Sequence, residues 1–224
     1  MKMKRNISKI AIMAFAAVFI LSAVPQTAFA QFTSKQEKTL QKELDKQYKK
    51  KIAEYKKENW KLGAGSRTIE VALLEHYQKM AKSDKNFEFI GEVSQCKSIN
   101  ICKQFALTNA QNRYASLANG NVKGRVQSLL RADANHPEVE IDKFIAAYEN
   151  AIKAEVSGVL TESFSVVKEN GDGTKSYQTI FILNEEEAGK ARSRALEISL
   201  KETKITIEEA KEISKFVEEG FPVE

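Results

Sequence analysis

The chain has 224 residues, of which 42% are hydrophobic and 29% charged, values typical of a globular protein with one or two small domains. Its formal net charge of +5 does not indicate a nucleic-acid partner, because residues 1–30 hold four basic residues and no acid. The remaining chain is almost neutral, with its excess of lysine concentrated between Lys35 and Lys61.

Residues 1–30 have the three parts of a secretory signal peptide. A basic start is followed by an apolar run from Ile10 to Val24 and by the small-x-small sequence Ala28-Phe29-Ala30. The pattern predicts cleavage between Ala30 and Gln31 and export to the periplasm or the cell envelope. The alternative is an uncleaved membrane anchor, but the run is short of the ~20 residues that a membrane helix needs. We therefore expect no transmembrane span in the mature chain.

Residues 31–62 are predicted to form one long, lysine-rich helix. Its apolar residues recur every three or four positions as one narrow stripe: Leu40, Leu44, Tyr48, Ile52 and Tyr55. The stripe could pack on the following domain, or form a coiled coil or partner-binding helix; alternatively, the lysines could bind an anionic surface such as lipid headgroups or a cell-wall polymer. The lysines of the possible interaction surface are Lys42, Lys46, Lys49, Lys50, Lys56 and Lys57.

Gly63-Ala64-Gly65-Ser66 is expected to end this helix and act as a hinge (residues 63–66), leaving residues 67–224 as a separate domain. It does not have the pattern of a phosphate-binding loop, because no lysine follows in the required position and no strand precedes it. Ser66 is expected to cap a second helix that extends to about Lys82. His76 lies beside the apolar face of that helix, where a lone histidine is more often a packing or surface residue than a ligand.

Three strands are predicted to share one antiparallel sheet. In Phe87–Val93, apolar residues alternate at period two, and Gly91 in the same register indicates a bulge or a close backbone approach. Residues 159–168 and 176–183 are rich in β-branched and aromatic residues, and the loop Asn170-Gly171-Asp172-Gly173 between them predicts a β-hairpin. The predicted fold class is therefore α+β, with a small antiparallel sheet packed on helices.

Cys96 and Cys102 are the two cysteines of the chain, with five residues between them. In an exported protein this spacing favours a local disulfide bond. Free thiols are the main alternative. A metal site would need further histidine or cysteine ligands nearby, and a redox pair favours the tighter Cys-x-x-Cys spacing.

The rest of the chain is predicted to be helical. The first helix after the cysteines is expected to break at Asn119-Gly120-Asn121 and then continue. After the hairpin, Asn184 and Thr206 each precede a glutamate by three residues, which is typical of a helix start. The predicted helical ranges are 101–117, 122–130, 141–156, 184–202 and 206–219.

The segment from Phe87 to Ala195 resembles the twenty-kilodalton lipoprotein family and the N-terminal domain of the flagellar assembly protein T. The features that carry the resemblance are, in chain order, the strand Phe87–Val93 with its Gly91, the alanine-containing helix Cys102–Leu117 and the hairpin Gly158–Leu183 with its Tyr177. The chain departs from the family by lacking a lipidated cysteine and by adding the lysine-rich helix. The resemblance implies an envelope protein with a small α/β interaction domain and no known reaction.

The sequence offers no catalytic constellation. Neither histidine lies in a Gly-x-Ser-x-Gly or His-Glu-x-x-His context, and no cofactor or metal site is expected. The sequence predicts a secreted, non-enzymatic binding protein of the envelope, whose partner is an envelope protein or an anionic surface and not a nucleic acid. The alternatives are a hydrolase acting on an envelope polymer and a purely structural spacer.

Overall fold

The computed structural model describes residues 34–65, 67–132, 138–203 and 205–218. Its elements, in chain order, are α1 (Ser34–Lys57), β1 (Lys61–Leu62), α2 (Ile69–Met80), β2 (Asn86–Cys96), α3 (Ile99–Ala132), α4 (Glu138–Ser157), β3 (Thr161–Glu169), β4 (Lys175–Asn184), α5 (Glu185–Lys201) and α6 (Ile207–Glu218). The chain divides inside α1, between Lys49 and Lys50, and the larger compact unit runs from Lys50 to Phe221.

The strands form one antiparallel sheet in the order β1-β3-β4-β2. Phe89 of β2 lies opposite Phe181 of β4, and Phe164 of β3 lies opposite Ile180 of β4. The predicted α+β fold and the shared sheet of the three predicted strands are confirmed. The short strand β1, which pairs with Val166 and Val167 of β3, was not anticipated.

On one face of the sheet, α3 packs on β2 and β4 and α5 packs on β4, while α4 and α6 pack on these helices and together they enclose a large apolar cluster. Buried members of this cluster include Tyr114, Val126, Leu130, Phe144, Tyr148, Ile152, Leu183, Leu196 and Ile213. At Gly91 the sheet and α3 come so close that an added Cβ would lie 1.9 Å from the backbone oxygen of Ala106. The expectation of a close backbone approach at Gly91 is confirmed.

The opposite face of the sheet carries α2. The ring of His76 on α2 lies edge-on to Phe164 of β3, with centroids 5.7 Å apart. Ala72, Leu73 and His76 are the buried residues of α2, and Leu73 is 2% exposed. The sheet is therefore enclosed between two helical layers, which is a usual way for a two-sided sheet to bury both faces.

The helix α1 ends at Lys57, five residues before the predicted end at Leu62. Asn59 has a φ of 60° and the Trp60 N–H donates to the carbonyl of Tyr55 at 2.9 Å. This is a Schellman cap, in which a residue in the left-handed region turns the chain away from the helix axis. In the sequence, Asn59 was the residue that could have indicated this helix end, since asparagine tolerates the left-handed conformation.

The predicted hinge at residues 63–66 begins with a fixed contact. Gly63 continues the pairing of β1, because its N–H donates to the carbonyl of Ser165 at 2.8 Å. A Cβ at this position would lie 2.8 Å from the Ser165 hydroxyl oxygen, so the glycine is required for packing. The helix that follows is capped by Thr68, whose hydroxyl accepts from Val71 N–H, whereas the predicted cap Ser66 lies outside the described residues.

The helix α3 is continuous from Ile99 to Ala132, so the predicted break at residues 119–121 is wrong. Ala118 and Val122, on either side of the expected break, are both buried in the helical core. The side-chain amide of Asn119 donates to Glu149 of α4 at 2.9 Å. Packing against α4 thus outweighs the local preference of Asn-Gly-Asn for a turn.

The start signals of the two C-terminal helices are confirmed. Asn184 caps α5 by accepting from the Glu186 N–H at 3.1 Å. Thr206 and Glu209 form a reciprocal capping box, in which the Thr206 N–H donates to the Glu209 carboxylate at 2.9 Å and the Thr206 hydroxyl accepts from the Glu209 N–H.

Candidate functional site

The lysines of the predicted interaction surface share one side of α1. Their residues are exposed in the structure: Lys42, Lys46, Lys49, Lys50, Lys56 and Lys57. At ~3.6 residues per turn, the three lysines up to Lys49 fall within roughly 60° of the helix circumference and the three from Lys50 onward within roughly 120°, and no acidic residue of α1 falls in the sector of its own part of the helix. We call this set of six residues the lysine face. Such an uninterrupted cationic sector attracts anionic groups more strongly than the same charges interspersed with acids.

The opposite side of α1 is apolar and its C-terminal end is buried. Within the larger unit, Ile52 is 8% exposed and Tyr55 is 2% exposed. Burial, reinforced by the nearby carboxylates of Glu88 and Glu54, raises the pKa of Tyr55 well above its usual range. The C-terminal end of the apolar stripe is therefore packed on the following domain, which was one of the interpretations of the stripe.

Lys46 and Lys56 of the lysine face each form an ion pair with a described residue. Lys46 Nζ lies 3.9 Å from a carboxylate oxygen of Glu43, one turn away on the same helix. Lys56 Nζ lies 2.8 Å from Glu70 of α2, and the hydrogen bond from Lys56 lowers the pKa of Glu70. Both pairs are solvent-exposed, so each contributes little to stability, and salt screens both.

A second site, on the α2 side of the sheet, is built around His76. Its Nε2 lies 2.9 Å from a carboxylate oxygen of Glu88 on β2, and its Nδ1 lies 3.1 Å from the hydroxyl oxygen of Ser163 on β3. We call these three residues the His76 chain. Ser163 is the extra residue of a β-bulge between Glu162 and Phe164, and such bulges redirect a side chain.

The electrostatics of the His76 chain favour an ionised Glu88. Burial opposes ionisation of this carboxyl, but the hydrogen bond and charge of His76, together with Lys51, outweigh it and hold the pKa of Glu88 below its ordinary value. Burial, assisted by the charge of Glu88, raises the pKa of the neighbouring Tyr77 to about 12. The sequence interpretation of His76 as a packing residue omitted this polar network, which joins three elements.

The geometry of the His76 chain has the connectivity of a serine nucleophile with its base and orienting acid. Its exposure is the reverse of what that chemistry needs. His76 is 1% exposed and Ser163 9%, whereas the Glu88 side chain is 34% exposed and forms the solvent end. The Ser163 hydroxyl, which would have to attack a substrate, is the enclosed group. The His76 chain is therefore a buried polar network that links α2 to the sheet.

A shallow groove of about 370 Å³ lies at one end of the sheet. Its lining residues are Lys79, Asn86, Gly158, Val159, Thr161, Ile182, Asn184 and Glu187. Two of its polar groups are already paired within the protein: the Asn86 amide donates to the carbonyl of Lys79 at 3.0 Å, and Asn184 donates to Asn86 at 2.9 Å. Among the described residues no group of three or more metal-ligating side chains occurs.

A buried arginine links α3 to α5 on the other side of the sheet. Arg192 is 2% exposed; it donates to the Tyr114 hydroxyl at 2.8 Å and to Glu185 at 2.5 Å. Burial raises the pKa of Tyr114 to about 12 despite the opposing charge of Arg192. Because the guanidinium is enclosed by protein groups, this cluster is a packing element of the core.

The two cysteines lie at disulfide distance, with Cα atoms 5.4 Å apart, at the end of β2 and in the first turn of α3. Cys102 is fully buried and Cys96 is 5% exposed, in a small cluster with Ala106 and Tyr177. The pair therefore links the end of β2 to the first turn of α3.

The predicted cleavage site, Ala30 and Gln31, lies outside the described residues. Within the part of the chain that the structure covers, no helix combines the length and the apolar character needed to cross a membrane. Comparison with protein-family models, curated proteins and solved structures finds no match to this chain.

Proposed function

We propose that this chain is an exported, non-enzymatic binding protein of the cell envelope that attaches to an anionic surface through the lysine face of α1. The observation that carries the proposal is the exposure of six lysines along α1, three in each of its two parts, with no acid in the sector that each set of three occupies. A helix with this arrangement attracts anionic lipid headgroups or polymers by about 1 kcal/mol per lysine that reaches the surface.

The remainder of the fold supports a binding role over a catalytic one. The His76 chain is the arrangement that a hydrolase would need, but its serine and histidine are buried. Export of the mature chain follows from the signal-like residues 1–30, and the resemblance to envelope lipoprotein domains points the same way. Both are part of the proposal.

The test is binding of the mature chain, residues 31–224, to vesicles with phosphatidylglycerol, to vesicles of phosphatidylcholine alone, and to a soluble polyanion. We expect binding to the anionic probes and none to phosphatidylcholine. Replacing Lys42, Lys46, Lys49 and Lys50 with glutamine should weaken binding by about two orders of magnitude or more. Comparison of the two anionic probes distinguishes a lipid from a polymer target.

A matched control removes the same charge elsewhere. Lys97, Lys123, Lys201 and Lys211 are also exposed, and replacing them with glutamine changes the net charge equally. This control should retain most of the affinity. Equal losses in both variants would show that net charge and not the lysine face drives binding, and no binding to any anionic probe would contradict the proposal.

A further inference from the structure

The strand β2 forms an outer edge of the sheet. Its residues Asn86–Cys96 pair with β4 on one side, and among the described residues no strand pairs on the other. It is eleven residues long, which is long for an edge strand. An exposed edge presents unpaired backbone groups and is a ready template for another strand.

The direction of the backbone groups follows from two hydrogen bonds. The carbonyl of Lys85 accepts from Glu185 N–H at the β4 end, and the carbonyl of Glu92 accepts from the side chain of Asn109 on α3 at 2.7 Å. Successive residues of a strand direct their N–H and C=O groups to opposite sides. Glu88, Ile90 and Glu92 therefore point their backbone groups outward, and within the described part of the chain Asn109 bonds to one of these groups, the Glu92 carbonyl.

The α3 side of this edge is lined by a row of residues at intervals of four. Ile101, Phe105, Asn109 and Arg113 follow one another along α3, which brings them to the same side of the helix. Phe105 is 53% exposed and Ile101 44%, and the Arg113 guanidinium stacks on the Phe89 ring of β2 at 5.7 Å. An added strand would meet an apolar wall on this face.

The opposite face of the edge is acidic. Glu88 and Glu92 lie two positions from Ile90 on either side and project to the α2 side of the sheet. The Glu88 side chain is 34% exposed and Glu92 is exposed. Cross-strand neighbours of opposite charge stabilise a strand pair, and like charges destabilise it.

We propose that the outer edge of β2 accepts an extended segment of a partner protein as an additional strand. Because Glu88 and Glu92 are acidic, the segment should carry basic residues at the positions that face them. Because Phe105 is apolar and exposed, the segment should carry apolar residues at the alternate positions. Backbone hydrogen bonds provide the affinity and the alternating side chains the specificity, as in other strand-addition interactions. This surface shares no residue with the lysine face, so either proposal can fail without the other.

A second copy of the chain is a poor occupant. Two-fold antiparallel pairing of β2 with itself about Ile90 would place Glu88 of each copy opposite Glu92 of the other. Within each of these pairs the two carboxylates would repel each other. Edge strands use such repulsion between like charges to prevent self-association. We therefore assign the complementary segment to a different protein.

The experiment measures binding of a fluorescent seven-residue peptide of alternating lysine and valine to the mature chain. We expect saturable binding, with slowed hydrogen exchange at the amides of Glu88, Ile90 and Glu92. A peptide N-methylated at alternate amides, and one with glutamate in place of lysine, should each bind about tenfold more weakly or worse.

Two protein variants locate the contact. Ile90→Pro removes an outward N–H without breaking the pairing to β4, and Phe105→Ala removes the exposed ring; each should weaken binding about tenfold. Ile90→Val and Leu117→Ala, the latter at an equally exposed residue farther along α3, should bind normally. Phe105→Ala keeps the test informative if Ile90→Pro does not fold.

Three results would overturn the proposal. The first is no peptide binding at millimolar concentration. The second is binding that neither Phe105→Ala nor N-methylation weakens. The third is a dimer of the wild-type chain in solution that Ile90→Pro converts to a monomer, since that would make a second copy the occupant.

Discussion

At the scale of single residues, the unexpected feature is the His76 chain. The sequence placed His76 beside an apolar helix face and predicted packing, and its ring does pack edge-on against Phe164. Its polar partners could not be found by spacing, because Ser163 is 87 residues away along the chain and is redirected by a bulge. Periodicity indicates which face of a strand is buried, but not where a strand gains an extra residue.

The ionised Glu88 predicts a specific acid sensitivity. Because its pKa is lowered in the folded protein, Glu88 stabilises the fold above the pKa of the unfolded state and loses this contribution as the pH falls through the folded pKa. Glu88→Gln should cost about 1–2 kcal/mol at pH 7 and less at pH 3. The measurement is urea unfolding of both proteins from pH 7 to pH 3.

The comparison isolates Glu88 from other acids. Glu70, Asp172 and Glu186 also have lowered pKa values, through hydrogen bonds from Lys56, Thr174 and Lys85 in turn, but they are present in both proteins. The difference in unfolding free energy between the two proteins should therefore shrink on acidification. A difference that stays constant with pH would show that the His76 chain does not depend on the charge of Glu88.

At the scale of elements, most helices and the three long strands followed from the sequence, whereas β1, which lies in a range predicted to be helical, and many element ends did not. The hairpin, the two C-terminal caps and the close approach at Gly91 were predicted by local chemistry that the structure retains. The predicted helix break at residues 119–121 was wrong because tertiary packing overrides the local chemistry there. Buried contacts of α3 with α4 hold Asn-Gly-Asn in a helix that its local preference disfavours.

The continuous α3 predicts a gain in stability from two substitutions. Gly120 and Gly124 lie in the helix, and an added Cβ would meet no atom within 4 Å at either position. Gly120→Ala and Gly124→Ala should each raise the free energy of unfolding by about 0.5–1 kcal/mol, measured by urea unfolding. A loss of stability at Gly120 would indicate that the helix breaks there after all.

At the scale of the whole molecule, the α+β architecture was predicted from the sequence, with a domain beginning at residue 67, and the larger compact unit of the structure begins at Lys50. Ile52 and Tyr55 were identified as part of an apolar stripe, yet the choice between a free rod and a packed helix end depends on what lies across from them. Only the folded domain supplies that surface. The lysine face needed no such knowledge, because helical spacing alone brings its members together.

Removal of residues 1–62 should therefore destabilise the domain severely. The truncated chain, residues 63–224, lacks Ile52, Tyr55 and the strand β1 that pairs with β3. Loss of two large buried side chains costs roughly 5 kcal/mol, a large share of the ~5–15 kcal/mol by which a domain is stable. Thermal unfolding should be broad or absent for 63–224 and cooperative for 31–224. Equal melting temperatures would show that the end of α1 is not part of the core.

The most direct test of the central claim compares residues 31–224 with residues 50–224 in binding to phosphatidylglycerol vesicles at rising salt. The shorter chain keeps the entire larger unit but loses Lys42, Lys46 and Lys49 of the lysine face. We predict that it melts as cooperatively as the longer chain and binds at least tenfold more weakly, and that salt weakens the binding of the longer chain. Equal, salt-insensitive binding by the two chains would contradict the assignment of the contact surface to α1.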